Sequence, residues 1–178
     1  MALNYLDILP NIKTFVFDVD GVLTDGSVLL QENGGQTRAM NAKDGFAVQL
    51  AIKKGYEIII ITGGSSNAVK DRLAHLGVKH IYLRASDKRY VLDEHFLTYE
   101  TDSKSTLYMG DDIPDYEVMQ DVALACCPKD AAPEIKNISS FISTKNGGDG
   151  CVRDIIEQTL KIQDNWFSPE KEFKSFTW

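Results

Sequence analysis

Apolar runs that suit strands alternate with helical patterns along most of the chain. The run from Tyr56 to Ile61 is almost entirely apolar and rich in β-branched residues, as in a strand that is buried on both faces of a sheet. Shorter strands are predicted at 15–17, 81–83, 106–109, 122–125 and 141–143. Helices are predicted at 44–54, 65–77, 87–99 and 150–162, with a short one after Pro114. This alternation predicts an α/β fold, a Rossmann-like parallel sheet with helices on both faces and ligands at the carboxyl ends of its strands.

Two segments depart from this alternation. Residues 27–40 have the pattern of two short strands around Glu32-Asn33-Gly34-Gly35, which predicts a β-hairpin flap after the first strand. Residues 165–178 form an aromatic tail beyond the last helix, which either packs on its own domain or docks on a neighbouring subunit. Because there is no repeat and no linker, residues 1–178 are predicted to form a single domain.

Composition narrows the classes of function. Hydrophobic residues make up 43% and charged residues 25% of the 178 positions, which is ordinary for a globular protein. The net charge of −7 argues against nucleic acid or an anionic membrane as the partner. The longest aliphatic run, Ile58–Ile61, is too short to span a bilayer, and the N-terminus lacks the pattern of a secretory signal. With three cysteines and no CxxC pattern, we expect a cytoplasmic protein without disulfides.

Carboxylates follow two of the predicted strands. Asp18 and Asp20 come directly after the first strand, and their spacing of two can direct both side chains to the same side. Gly21 then allows a sharp turn. Asp111, Asp112 and Asp115 follow the strand at 106–109, where the alternative is a turn before Pro114. Because carboxyl ends of parallel strands meet at one edge, the sequence predicts a cluster of oxygen ligands for a hard cation, Mg²⁺ by default.

Two further strand ends add groups that suit phosphate. Thr62 and Gly63 place a hydroxyl and backbone N–H groups before a helix, a potential anion site, although a simple turn would explain them equally well. Lys88 stands at the start of the next helix, where most lysines are merely solvated. Taken with the carboxylates, these groups form the set that phosphoryl transfer needs. The other polar residues receive structural interpretations: Asp44 and Asp87 as helix caps, His75, His80 and His95 as surface or edge residues, Cys126 and Cys127 as packing residues.

These motifs resemble a known family. The set Asp18-x-Asp20-Gly21-Val22, Thr62, Lys88 and Gly110-Asp111-Asp112-x-x-Asp115 resembles the four motifs of the haloacid dehalogenase superfamily of phosphatases. The extended stretch DVDGVLTDG, the hairpin, the stretch MNAKDG and the glycine-rich segment at 147–153 are similar to the 3-deoxy-D-manno-octulosonate 8-phosphate phosphatases. The resemblance extends from about Lys13 to Leu160.

The resemblance implies a role for each motif residue. Asp18 would be the nucleophile that forms an aspartyl-phosphate, and Asp20 the acid and then the base. Mg²⁺ would be held by the Asp18 carboxylate, the Asp20 backbone carbonyl and Asp111. Thr62, Gly63 and Lys88 would bind the phosphoryl group. Asp112 and Asp115 would orient metal-bound water or Lys88.

One position departs from the family. Many members carry Arg or Glu directly after the Thr-Gly pair, where it helps to recognise the sugar, but this chain has Gly64. Lys43 and Arg72 are the candidates to contact the sugar instead, as is Arg84. For Arg72 the alternative is a solvated helix face.

The resemblance also bears on substrate and assembly. The intervals between the motifs leave no room for a cap domain, so an open site would need its lid from elsewhere. The family implies a homotetramer in which the hairpin of one subunit closes the site of its neighbour. The implied substrate is a small sugar-acid phosphate, 3-deoxy-D-manno-octulosonate 8-phosphate, a lipopolysaccharide precursor. The alternatives are a phosphatase for a nine-carbon sialic-type keto-acid phosphate, a catalytically silent scaffold, and a receiver domain, whose phosphorylated Asp would follow a middle strand rather than the first.

Overall fold

A computed structural model describes residues 4–169 of the chain. Six parallel strands form the central sheet, in the order β5-β4-β1-β6-β7-β8. They are β1 (Thr14–Phe17), β4 (Glu57–Ile61), β5 (His80–Tyr82), β6 (Thr106–Met109), β7 (Leu124–Cys127) and β8 (Phe141–Ile142). A separate antiparallel pair is formed by β2 (Leu29–Leu30) and β3 (Gln36–Thr37). The predicted parallel α/β fold is therefore confirmed.

Helices cover both faces of this sheet. The helices are α1 (Tyr5–Ile8), α2 (Ala42–Lys53), α3 (Asn67–His75), α4 (Lys88–Tyr99), α5 (Tyr116–Gln120), α6 (Pro133–Ile138) and α7 (Cys151–Ile162). Alternate residues of the central strands point to opposite sides. Phe15 and Phe17 of β1 pack in the core shared with α2, α3 and α7, whereas Val16 packs in the core shared with α4, α5 and α6. Burial on both faces explains the nearly continuous apolar runs of β1 and β4.

The strand predicted at 106–109 has the predicted bounds, and the bounds of the other sheet strands differ from the predicted ones by one or two residues. The largest shift is at β7, which was predicted at 122–125 and begins at Leu124. Cys126 and Cys127 therefore lie inside the strand, where both are buried as packing residues. Gly110 directly follows β6, and its N–H donates to the Cys126 carbonyl at 3.2 Å. The loop after β6 therefore begins beside the end of β7.

The structure overturns the predicted role of Asp44. The α2 helix is capped by Asn41, whose side chain accepts from the Lys43 N–H at 2.8 Å. Asp44 lies within the first turn of α2 and is buried. Its Oδ1 accepts from the N–H of Arg153 at 2.7 Å, so Asp44 caps α7 rather than its own helix. The prediction was wrong because the sequence does not show which helix N-terminus a carboxylate will face.

The other predicted caps and the histidines have mixed outcomes. Ser66 caps α3, and Asp87 caps α4 by accepting from the Tyr90 N–H at 2.9 Å. His95 is buried against Glu57, with 3.0 Å between its Nε2 and the Glu57 Oε1, so its interpretation as a surface residue is wrong. His80 does lie on the edge strand β5.

The hairpin lies between β1 and α2 along the chain, and the residues of its two strands are exposed. Leu29 and Leu30 are 70% and 74% exposed, which is unusual for leucines in a strand. Of the predicted tail, Trp166 and Phe167 pack at the margin of the core, and residues 170–178 lie outside the described residues. Within residues 4–169, none of the helices has the length and apolar character needed to cross a membrane.

Candidate active site

Four of the predicted motifs meet at the carboxyl edge of the sheet. They line a cavity of about 510 Å³. Asp18 and Asp20 follow β1, Thr62 and Gly63 follow β4, and the carboxylates 111–115 follow β6, while Lys88 begins α4. Because these strands are parallel and adjacent, their ends must share one crevice.

Lys88 lines the cavity and lies between two buried carboxylates. Its Nζ is 2.8 Å from Asp18 Oδ2 and 2.7 Å from Asp115 Oδ1. The Tyr108 hydroxyl also donates to Asp115 Oδ1, at 2.7 Å. Only 6% of Lys88 is exposed, so this is not a solvated lysine. Asp115 thus holds the Lys88 ammonium group in place, and the ammonium group forms its second ion pair with Asp18.

Burial and neighbouring carboxylates raise the pKa values of Asp18 and Asp111. Burial and the charge of Asp115 raise the pKa of Asp18 to about 6, against the opposing effect of Lys88. Burial and the charges of Asp18 and Asp115 raise the pKa of Asp111 to about 7. Oxygen atoms of Asp18, Asp111 and Asp115 all lie within 4.8 Å of one another. A single ammonium does not neutralise this cluster, and a bound cation would.

Asp111 and Asp112 have different positions. Asp111 is half-buried, and its N–H donates to Asp115 Oδ2 at 3.2 Å. Asp112 is exposed, and its carbonyl accepts from the Asp115 N–H at 2.9 Å. Asp112 therefore begins the turn that brings Asp115 back to the cavity. Its side chain lines the cavity, but it is not a member of the cluster of three carboxylates.

The Thr62 turn is closed by its own side chain. Thr62 Oγ1 accepts from the Gly64 N–H at 3.1 Å, and the Thr62 backbone bonds to Tyr82 and Ala85 on the neighbouring β5 side. The α3 helix begins only at Asn67. The predicted anion site therefore consists of the Thr62 hydroxyl and the exposed turn at Gly63, and not of the helix N-terminus itself.

The glycine-rich segment at 147–150 packs against the backbone of the loop that follows Asp20. The N–H of Gly148 and the thiol of Cys151 both donate to the Val22 carbonyl, at 2.9 and 3.2 Å. A Cβ on Gly147 would lie 1.9 Å from the Gly21 carbonyl oxygen. This close backbone approach requires glycine, and it fixes the loop that carries Asp20.

Arg38 is the residue at this site that the sequence did not predict. It follows β3 of the hairpin, and its Nε and Nη2 donate to the two carboxylate oxygens of Asp20, at 2.5 and 3.0 Å. The available signal was indirect: Asp20 needs a counterion, and Arg38 has no acidic residue within five positions along the chain. Eighteen residues separate the pair, and no local periodicity connects them.

Two predicted sugar contacts lie away from the cavity. Lys43 and Arg72 are exposed, and neither is among the residues that line it. Arg72 lines a separate cavity of about 230 Å³ between the hairpin and α3, together with Arg38 and Met40. Within a single chain, Lys43 therefore does not lie beside the carboxylates of the cavity.

Comparison with known proteins supports the interpretation of these motifs. A family model of haloacid dehalogenase-like hydrolases matches residues 80–155. The 3-deoxy-D-manno-octulosonate 8-phosphate phosphatase KdsC of Escherichia coli K12 is 33% identical over 153 residues, which are 86% of this chain and 81% of that protein. The Moraxella catarrhalis 3-deoxy-D-manno-octulosonate 8-phosphate phosphatase, solved with magnesium, phosphate and KDO, superposes with a TM-score of 0.88 at 32% identity, covering 92% and 94% of the two chains. The cobalt-bound Haemophilus influenzae phosphatase gives a TM-score of 0.84 at 27% identity, covering 88% and 91%.

Proposed function

Because the chain belongs to the haloacid dehalogenase-like hydrolases and, within them, to the 3-deoxy-D-manno-octulosonate 8-phosphate phosphatase family, we propose that it hydrolyses this eight-carbon sugar-acid phosphate. Family membership makes the chain a phosphoric monoester hydrolase. The proposal adds the substrate, the aspartyl-phosphate intermediate and a place in lipopolysaccharide precursor synthesis. The observation that carries it is the buried Asp18, held 2.8 Å from Lys88 beside two further carboxylates.

The donor set suits Mg²⁺. Carboxylate oxygens are the ligands that this hard cation prefers, and Asp18, Asp111 and Asp115 place such oxygens within 4.8 Å of one another. Burial, followed by the charges of neighbouring carboxylates, raises the pKa values of Asp18 and Asp111, and a bound cation would favour their ionised forms. We assign the Asp18 and Asp111 carboxylates and the Asp20 backbone carbonyl as ligands. Asp115 is already bonded to Lys88 and Tyr108 and anchors the lysine instead. When bound, the metal would neutralise charge on the phosphoryl oxygens.

The chain's own residues supply the remaining chemistry. The ionised Asp18 carboxylate attacks phosphorus, and the bond between phosphorus and the sugar oxygen breaks. The electron pair of that bond stays on the sugar oxygen, which takes a proton from Asp20. Water then attacks the aspartyl-phosphate, Asp20 takes up the water's proton, and phosphate leaves Asp18 as a carboxylate. Lys88 and the Thr62 hydroxyl hold the phosphoryl oxygens throughout.

The assembly proposal follows from the exposed hairpin. An open site admits water and selects weakly among phosphate esters. The exposed leucines of β2 are an apolar surface that a second copy could cover. We therefore propose a homotetramer in which the hairpin of one subunit closes the site of its neighbour. In that assembly, Lys43 or Arg72 of one chain could contact a sugar bound beside another chain.

The test is phosphate release from a panel of sugar phosphates with Mg²⁺. The panel includes the eight-carbon and the nine-carbon keto-acid phosphates, and Asp18→Asn is the inactive control. We expect preference for the eight-carbon ester and loss of turnover in the variant. Preference for the nine-carbon ester would retain the chemistry and change the substrate. No turnover of any member by a folded protein would indicate the silent scaffold.

A further inference from the structure

Arg38 makes a contact that the proposed chemistry does not yet use. Two of its guanidinium nitrogens bond to the two oxygens of the Asp20 carboxylate, a bidentate arrangement that fixes both the position and the rotation of that group. Within residues 4–169, the Asp20 carboxylate has no other hydrogen-bond partner. The orientation of Asp20 therefore depends on a side chain that the hairpin supplies.

The surroundings show that Arg38 is built into the site. The side chain of Arg38 is only 8% exposed. By contrast, all four residues of the strand pair that precedes it are exposed. Burying a guanidinium is costly unless it is paired, and Asp20 is its ionic partner. Arg38 is therefore placed by its pairing with Asp20 and not by solvation on the hairpin surface.

Position 64 borders this pair. A Cβ built there would lie 3.4 Å from Thr62 Oγ1, 3.6 Å from Asp20 Oδ2 and 4.0 Å from Arg38 Nη2, which are ordinary contact distances. The Thr62 turn and the guanidinium that the hairpin supplies therefore meet beside Asp20.

We propose that Arg38 is a positioning residue for Asp20, through which the hairpin controls proton transfer to the leaving group. The inference rests on the proposed function, in which Asp20 protonates the sugar oxygen. The bonds from Nε and Nη2 to the two oxygens fix the plane of the carboxyl group, so the oxygen that carries the proton meets the departing oxygen in one orientation. Without Arg38 the Asp20 carboxylate would rotate freely, and fewer of its orientations would be productive.

This role predicts a dependence on the leaving group. A sugar alkoxide is a poor leaving group and needs the proton, whereas the phenolate of p-nitrophenyl phosphate leaves without one. Loss of the positioning residue should therefore slow the first reaction and spare the second. A residue that only binds phosphate or stabilises the fold would affect both substrates equally.

The experiment compares Arg38→Gln, Arg38→Lys and the parent protein with Mg²⁺. Release of the leaving group is measured in single turnovers, which isolates the first step, on the eight-carbon sugar-acid phosphate and on p-nitrophenyl phosphate. Arg89→Gln is the matched control, because it breaks an arginine–carboxylate pair of the same kind, with Asp121, on the surface. Steady-state kcat and KM on the sugar ester, and the melting temperature of each variant, complete the comparison.

We expect Arg38→Gln to lower the rate on the sugar ester by ~10- to 100-fold, less than the full ~10²- to 10⁴-fold that general acid catalysis contributes, because Asp20 is still present. The effect should fall on kcat rather than KM, and the rate on the aryl ester should change less than ~3-fold. Arg38→Lys, which keeps the charge but has a single donor nitrogen in place of the two that Arg38 uses, should recover part of the loss.

Equal losses on the two esters, or no loss on the sugar ester, would overturn the role of Arg38 and leave the proposed function standing. If Arg38→Gln does not fold, the folded lysine variant decides by the same ratio of rates. A parent protein that releases neither leaving group would overturn the proposed function, and this inference with it.

Discussion

Gly21 shows how strictly the site depends on single residues. Its φ of +81° is in the left-handed region, and a Cβ at this position would lie 1.9 Å from Asp111 Oδ2. Glycine at 21 therefore answers two demands at once, a turn after Asp20 and close contact with a carboxylate from another strand. Gly34 in the hairpin has the same φ of +81°, but a Cβ there meets nothing within 4 Å.

Comparing alanine substitutions at Gly21 and Gly34 separates the effect of backbone strain from the effect of displacing Asp111. Gly21→Ala should displace Asp111 and lower Mg²⁺-dependent phosphate release by ~100-fold or more, as misplacement by about 1 Å can do. Gly34→Ala should cost only about 1 kcal/mol of local strain and leave turnover within ~2-fold of the parent. Phosphate release and melting temperature check both. A Gly21→Ala protein with normal turnover would contradict the position assigned to Asp111.

The carboxylate pKa values predict how Mg²⁺ binding depends on pH. The pKa values of Asp18, about 6, and of Asp111, about 7, lie above their ordinary value of 3.8. In the metal-free protein, each raised pKa means that the folded state binds the proton more tightly than the unfolded chain does. The resulting gain in folding stability is present below about pH 4 and is lost as the pH rises from there to about 6 or 7. Mg²⁺ needs the ionised forms, so protons compete with it as the pH falls below about 7, the pKa of Asp111.

Millimolar Mg²⁺ should therefore raise the melting temperature by several degrees at about pH 7.5 and by much less at about pH 5.5. Thermal unfolding at the two pH values measures the difference. Asp111→Asn removes one proposed ligand and should abolish the shift at both, whereas Asp112→Asn, which alters an exposed neighbour, should retain it. An equal shift at both pH values would argue against a site made of Asp18 and Asp111.

At the scale of elements, Asp44 joins α2 to α7. Its Oδ1 caps α7 through Arg153, while its Oδ2 is buried without a hydrogen-bond partner among the described residues. Burial is the main cause that raises the Asp44 pKa from 3.8 to about 6. The folded protein thus binds this proton more tightly than the unfolded chain does, and the associated stability is lost as the pH rises from about 4 to 6.

Asp44→Asn should flatten this part of the pH profile. Asparagine can still accept from the Arg153 N–H, but it carries no charge to bury, so the fall in unfolding free energy between about pH 4.5 and 7 should shrink by roughly 2 kcal/mol. Urea unfolding at the two pH values measures it. Asp87→Asn is the control, since it keeps a cap on α4 at an exposed position and should change stability equally at both. A profile in Asp44→Asn as steep as in the parent would contradict the assignment.

At the scale of the whole molecule, the strand pair β2–β3 of the hairpin is exposed, while Arg38 and Met40 behind it contact the rest of the domain. Leu29 and Leu30 bury little surface in this chain, yet Arg38 at the end of the same hairpin reaches into the site. A segment that combines a contact in the site with an exposed apolar strand suits the proposed assembly.

Leu29→Ser with Leu30→Ser should weaken that assembly. Each leucine that is buried between subunits contributes about 1.5–3 kcal/mol, so the double change should shift the mass in solution from tetramer toward smaller species at micromolar concentration. Sedimentation or light scattering measures the mass. Leu97→Ser, at an exposed position of α4, is the control and should leave the mass unchanged. A parent protein that is monomeric and fully selective would contradict the proposal.

The sequence by itself determined the order of strands and helices and the convergence of the four motifs. Strands buried on both faces leave continuous apolar runs, and parallel strands must bring their carboxyl ends to one edge, so Asp18, Thr62, Lys88 and Asp111 could be placed together in advance. These inferences need only local periodicity and chain order.

Only the tertiary structure decided which side chains meet. It separated buried Asp115 from exposed Asp112, directed Asp44 to the N-terminus of another helix, and paired Arg38 with Asp20. Each of these contacts depends on how segments that are far apart in the chain pack together. Side chains with the same local sequence pattern therefore take different roles, as a helix cap, as the partner of Lys88 or as the partner of Arg38, according to which groups the fold places next to them.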